Sequence, residues 1–317
     1  MQSDKQAIVL EIGARFVKCG LSEERAPRSV QRWELAELLR SHPTVAQCRE
    51  YLSPQLRRLL FDVLHVNPRH RRFLVCEDVT APRALRVALM DVLFTHLKAA
   101  SATVVPSMLM AQFATSFHTA LVVDCGWGET RVLPVFKGIP LLYMLTICLD
   151  QDPIMDAADA CLHAAGQVNL TIPGHLRGDV TEHLFRETHE GSIVSTVAQV
   201  IRKLPLDVRA AMTQNLLVIG GTAMLPGFCA RLVEELKVTL AAEELSPGKQ
   251  QQQSPVALVP LYFPRNMASW VGASVYGATD AARRHLISAN EYLSTGSGCL
   301  PDWMSVAETE DESVRVK

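Results

Sequence analysis

The sequence predicts an α/β fold in two lobes, and three observations carry the prediction. A strand, a carboxylate, a glycine turn and a second strand occur twice, from Ala7 to Gly20 and from Ala120 to Val135. Apolar runs of strand length alternate with helical patterns between and after them. At 317 residues the chain also exceeds what one ordinary core encloses, so two lobes are expected.

Ala7 to Leu10 is apolar and runs through Glu11-Ile12-Gly13 into Phe16-Val17-Lys18-Cys19-Gly20, which reads as two short strands about a tight turn. Arg72 to Cys76 reads as a buried strand, Pro82 to Lys98 as a helix, and Val104-Val105 as another strand. Met108 to Phe117 supplies an apolar helix leading into the second hairpin, as expected where a chain crosses between lobes. In that hairpin Leu121-Val122-Val123 leads to Asp124-Cys125-Gly126-Trp127-Gly128 and then to Val132-Leu133-Pro134-Val135, ~110 residues after the first, about one domain length. Gln151 to His189 reads only as short helices. Ile193 to Leu204 is amphipathic, Asp207 to Gln214 is helical, and Leu216 to Ile219 is a strand ending at Gly220-Gly221, with a helix from Phe228 to Ala241 after it. Residues 246–253 read as a low-complexity loop and Glu308 to Glu312 as an acidic tail.

Composition removes several function classes. Hydrophobic residues make up 48% and charged residues 20%, the balance of a soluble globular protein. Lys plus Arg total 31 against 33 Asp plus Glu, so no summed field draws the chain to nucleic acid or to an anionic membrane. A protein partner or a small ligand is expected instead. The longest apolar stretch, Leu141 to Leu149, is far short of the roughly 20 residues a spanning helix needs, so no membrane insertion is expected. Met1 to Gln6 is polar and leads directly into a strand, which leaves no room for a signal peptide. The 8 cysteines follow neither C-x-x-C nor disulfide-like spacing and read as reduced thiols in a cytosol. Arg69, His70, Arg71 and Arg72 read as a solvated turn, and His183 and His189 about Glu187 are poorly spaced for one helical face, so no metal is assigned. Trp270 and Trp303 read as packed in a core.

The chemistry lies in the glycine turns. Glycine admits positive φ, and bare backbone N–H groups can converge on a phosphate oxygen. Gly13, Gly126 and Gly128 stand where that geometry is needed. Gly220-Gly221-Thr222-Ala223-Met224-Leu225-Pro226-Gly227 follows a buried strand and precedes a helix, an arrangement that lets a nucleoside pack on backbone.

In their order, these two hairpins, the strand-G-G-T-x-M-x-P-G-helix and Ala268-Ser269-Trp270-Val271-Gly272-Ala273-Ser274 resemble the actin family from Ala7 to Trp303. The resemblance implies the two-lobed fold shared by actins, sugar kinases and heat-shock ATPases. It also implies that Glu11, Gly13 and Lys18 match the first phosphate hairpin, Asp124, Gly126 and Gly128 the second, and Gly220, Gly221 and Thr222 the adenosine motif. Its lobes are expected at 1–117 with 268–317 packing back on it, and at 118–267. Residues 31–65 are expected to form a reduced second subdomain and 150–190 a reduced fourth, since the chain is markedly shorter than actin between Gly138 and Asn215.

Several positions depart from the family's pattern. Glu11 stands for an aspartate, Ala14 for a serine and Arg15 for a glycine, while Ser107 and Arg131 stand for the glutamine and histidine that organise the attacking water. ATP or ADP with magnesium is the ligand the resemblance implies, but with these losses no cofactor is assigned, hydrolysis is not expected and no catalytic residue is assigned. Arg15 and Arg131 read either as cations that neutralise phosphate or as two solvated arginines.

Within the family, Val66 to Arg72, Val105 to Ala111, Val122 to Gly126 with Val132-Leu133-Pro134, and Leu300-Pro301-Asp302-Trp303 are similar to actin-related proteins of the dynactin pointed-end complex. That similarity implies a cytoplasmic, cytoskeletal subunit whose partners are dynactin's actin-related filament and the other pointed-end subunits, serving dynein-driven transport on microtubules. In an actin-type filament the second and fourth subdomains face the pointed end, so a subunit with both curtailed could join once and accept no successor. Two other functions remain open from sequence: a nucleotide-hydrolysing member of the wider fold, and an actin-related subunit of a nuclear chromatin-remodelling complex.

Overall fold

In a computed structural model the described residues are 6–149, 182, 184–187, 191–244 and 255–303. The expectations for the acidic tail, the low-complexity loop, His183, His189, Cys161 and most of 150–190 lie outside them. The chain divides into two compact units, Met1–His118 with Pro260–Lys317, and Thr119–Val259.

In the first unit β1 (Ile8–Ile12), β2 (Phe16–Leu21) and β3 (Ser29–Arg32) form an antiparallel ribbon, while β4 (Arg72–Glu77) and β5 (Ser101–Pro106) extend it in parallel on the other side of β1. The two-residue β11 (Ile287–Ser288) closes the far edge, giving the order β11-β5-β4-β1-β2-β3. β1, β4 and β5 are apolar on both faces because helices cover both.

One face carries α1 (Leu35–Arg40), α2 (Val45–Arg58) and α3 (Arg83–Asp91). Thr44 and Gln47 make a reciprocal capping box at the start of α2, and Cys48, Leu52 and Leu56 then enter the same core as Phe73, Val75 and Leu89. Residues 35–64, expected as part of a reduced second subdomain, therefore pack as helices on the first unit's own core. The helix expected over Pro82–Lys98 ends sooner. After Asp91 the chain widens into a single π-turn, Val92–His96, and Lys98 takes a φ of 54°, an end that α2 repeats at Leu59–Val63 with His65 at 52°.

The opposite face carries α4 (Ser107–Phe113), shorter than the Met108–Phe117 expected, and α8 (Ala268–Gly277). These two helices touch backbone to backbone. A Cβ on Gly272 would stand 1.8 Å from the Met110 carbonyl oxygen, so only glycine fits there. Trp270, expected in a core, is fully buried on α8 and donates from Nε1 to the Val9 carbonyl at 3.3 Å. Phe263 and Met267 pack on this cluster, which is why the unit begins again at Pro260 rather than at the expected 268. Further along lie α9 (Ala281–Arg284) and α10 (Ala289–Thr295).

The second unit repeats the arrangement in shorter form. β6 (Ala120–Cys125) and β7 (Glu129–Phe136) are antiparallel, β8 (Ile139–Pro140) and β9 (Thr146–Leu149) pair with β7, and β10 (Leu216–Ile219) adds in parallel on the other side of β6. α5 (Ile193–Lys203), α6 (Leu206–Gln214) and α7 (Phe228–Glu244) belong to this unit. Val197, Ile201, Leu232 and Leu236 pack with Val123 and Val218 in one core. In both units the first hairpin strand thus has its antiparallel partner on one side and a parallel strand on the other.

Candidate functional site

The two hairpins match position for position. In the first, Ile12 pairs with Val17, Glu11 pairs with Lys18, and the Gly13 N–H donates to the Phe16 carbonyl at 3.0 Å. In the second, Cys125 pairs with Thr130, Asp124 pairs with Arg131, and the Gly126 N–H donates to the Glu129 carbonyl at 3.0 Å. Residues directly opposite on antiparallel strands bring their side chains together. The register alone therefore sets a cation beside each carboxylate.

Lys18 Nζ lies 2.5 Å from Glu11 Oε1, with both side chains only 12% exposed. Arg131 lies 3.5 Å from Asp124 Oδ2 through Nη2 and 3.3 Å from Glu129 Oε1 through Nε, with its own side chain 10% exposed. Arg15, at the tip of the first turn, is buried as well. Of the two readings of Arg15 and Arg131, the solvated one is overturned: both cations are enclosed, and Arg131 is held by acids of its own hairpin. The first turn is further tied to the strand-to-helix segment, since the Trp33 N–H donates to the Arg15 carbonyl at 2.8 Å and the Ala36 N–H to the Ala14 carbonyl at 3.0 Å.

In the second unit the glycine-rich turn comes to its hairpin because β10 runs parallel to β6 and ends beside Asp124. Gly220 takes a φ of 101°, and a Cβ there would meet the Cys125 carbonyl oxygen at 2.1 Å and Asp124 Oδ1 at 2.9 Å. Its conformation and the closeness of the backbone both require glycine. The Thr222 hydroxyl donates to the Gly126 carbonyl at 2.9 Å, which fastens the turn to the hairpin. Asp124, Gly126, Gly220 and Thr222 are thus brought together within this unit, while Glu11, Gly13 and Lys18 form their own group in the first. Gly128 and Gly221 face open space, where bare backbone is presented rather than demanded by packing. Ser107 begins α4 in the first unit.

An actin-type site implies a nucleoside phosphate with magnesium, a hard cation that takes oxygen ligands, usually including one or two carboxylates. The residues present do not fit that ion. Each hairpin carboxylate is already balanced by a nearly enclosed cation, and a dication at about 4 Å from such a cation meets a repulsion on the order of 8 kcal/mol at an effective dielectric near 20. The Gly126 carbonyl beside Asp124 already accepts from Thr222.

Sequence reasoning missed a third buried charge cluster. Glu77, at the end of β4, is paired with Arg86 of α3 at 2.5 Å and accepts from Trp303 Nε1 at 2.7 Å, while Arg86 Nη1 donates to the Pro301 carbonyl at 2.7 Å. Burial raises the Glu77 carboxyl above its ordinary range, against the pull of Arg86 and Trp303. The cluster fastens the 299–303 segment to the first unit. Its only sequence signal is a tryptophan and a few charges far apart in the chain.

Comparison with known proteins gives a consistent family. A family model described as Actin matches residues 49–146 and 168–301. The match starts after the first hairpin and is interrupted over 147–167. Actin-related protein 10 of Dictyostelium discoideum is 21% identical, over 94% of this chain and 89% of that protein. Actin-like protein 9 of Homo sapiens is 25% identical over 93% of this chain and 76% of its own length, and Actin-like protein ARP10 of Saccharomyces cerevisiae is 19% identical over 67% and 71%.

Proposed function

The chain belongs to the actin family, and from that premise we propose that it is a non-catalytic actin-related subunit that caps the pointed end of dynactin's actin-like filament. In that role it helps recruit the other pointed-end subunits and supports dynein-driven transport on microtubules, as a cytoplasmic, cytoskeletal protein. One observation carries the non-catalytic half of the reading. Both hairpin carboxylates, Glu11 and Asp124, are balanced by cations of their own chain, Lys18 and Arg131. Phosphoryl transfer depends on positioning and on charge stabilisation at the transferred group. An arginine committed to two acids, with a serine at 107, supplies neither a positioned water nor the metal that such transfer uses.

The capping half is supported by the strings shared with pointed-end actin-related proteins and by similarity to two relatives named as number 10 of the actin-related series. Residues 35–64, in place of a projecting second subdomain, pack as helices on the unit's own core. Heterologous contacts propagate until one of the two surfaces is missing, so a subunit trimmed on one face ends growth.

Reconstitution tests the reading. The purified chain is expected to bind one end of the dynactin filament and to halt addition there. Its absence from purified dynactin, or failure to bind that end, removes the proposal. Co-purification with nuclear helicases would instead favour a chromatin-remodelling subunit, and single-turnover phosphate release above background would make the chain an ATPase.

A further inference from the structure

The second hairpin lies in one unit with the glycine-rich turn, and the acids and carbonyls around its turn are engaged by groups of the chain itself. Asp124 and Glu129 share the Arg131 guanidinium, at 3.5 Å and 3.3 Å. The Gly126 carbonyl accepts from Thr222, and the Cys125 carbonyl lies so close under Gly220 that a methyl group could not enter between them. Because Arg131 is the cross-strand partner of Asp124, its charge is delivered by the backbone register and is not an accident of a flexible surface rotamer. The first hairpin makes the same arrangement independently with Lys18 and Glu11.

We propose that Arg131 is a built-in replacement for a divalent cation: its guanidinium neutralises Asp124 from within, and the second hairpin takes no magnesium, with or without nucleoside phosphate present. A site of this kind keeps the compact geometry of an actin-type hairpin without depending on a bound ion for its charge balance. The inference concerns one hairpin's charge and does not rest on the capping function, since its test uses no filament.

The experiment uses manganese as the probe, followed by electron paramagnetic resonance on the full chain with and without ADP. Against protein-free samples of the same manganese and ADP content, wild type is expected to leave the free manganese signal unchanged in both conditions. Arg131→Gln, which frees the acids while keeping a polar side chain, is expected to remove one manganese per chain from the free pool, and the further change Asp124→Asn is expected to return it. Arg131→Lys keeps a cation and is expected to behave as wild type. Stoichiometric manganese on wild type that Asp124→Asn abolishes would overturn the proposal, as would a folded Arg131→Gln that gains no manganese. Should Arg131→Gln fail to fold, the wild-type chain still decides. Its thermal midpoint is expected to be the same in excess magnesium and in EDTA with ADP present, and a shift between the two overturns the proposal.

Discussion

At the scale of single residues, two positions have properties that their neighbours impose. Gly220 combines positive φ with a Cβ clash of 2.1 Å against backbone, which no side-chain movement relieves. Gly220→Ala is therefore expected to destabilise the second unit by about 3 kcal/mol or more, from backbone strain plus overpacking, read as a lower denaturant midpoint. A change at Gly221, which faces open space, is expected to leave the midpoint nearly unmoved. Glu77 is governed by burial. Its folded-state carboxyl holds a proton more tightly than the ordinary value of 4.5, mainly because desolvation penalises the charged form. The sign follows from proton linkage: stability from this group is fully present below 4.5 and is lost as pH rises through the raised folded value. Urea midpoints measured across that window are expected to fall for wild type relative to Glu77→Gln and then to run parallel. A wild-type curve that rises relative to the variant would contradict the assignment of burial as the dominant cause.

At the scale of elements, small residues decide how helices lie. α8 reads as a hydrophobic run, and its residues Ala268, Ser269, Gly272 and Ala273 look like a family signature. Their physical role is packing: Gly272 meets the Met110 carbonyl, and the Ser274 hydroxyl donates to the Glu24 carbonyl at 2.8 Å. Gly272→Val is expected to push α8 off α4 and to lower stability by about 3 kcal/mol or more, beyond the usual overpacking range, since backbone and not a rotamer stands in the way. Thermal unfolding checks this, and a midpoint within a degree of wild type would show that the helices can separate cheaply. Most elements were legible in the sequence for a definite reason. β1, β4, β6 and β10 are continuous apolar runs of strand length, and α5 has its apolar residues at helical spacing after the Ser192 cap. The ends of α2 and α3 were not legible, because a π-turn differs from an α-turn by one residue of hydrogen-bond register and leaves apolar spacing almost unchanged.

At the scale of the whole molecule, the absence of disulfide spacing in the sequence has a structural counterpart. Cys19, Cys48, Cys76, Cys125 and Cys148 are buried, and burial pushes the Cys19 thiol up to about 12 and Cys76 well above its ordinary value. Thiolate is the reactive form, so these two are expected to resist alkylation until the chain unfolds. Among the described cysteines Cys229 and Cys299, which are partly exposed, are expected to label first. Mass mapping after brief native alkylation reads the order, and early modification of Cys19 would show that the first unit opens below its unfolding transition. The absence of any described helix long and apolar enough to cross a membrane agrees with the short apolar runs of the sequence.

The sequence by itself determined the strands, the two glycine hairpins and the glycine-rich turn after β10, because each is a local pattern of apolar period and turn chemistry, and their order carried the resemblance to the actin family that the family match bears out. Tertiary structure alone decided what the charges do. Nothing in the spacing of Glu77, Arg86 and Trp303 says that they meet, and the exact hairpin register that sets Arg131 beside Asp124, and the enclosure of that pair, are not written in the spacing either. Pairing depends on strand register and on burial, and both are settled only when separated segments pack and water is excluded from the charges between them.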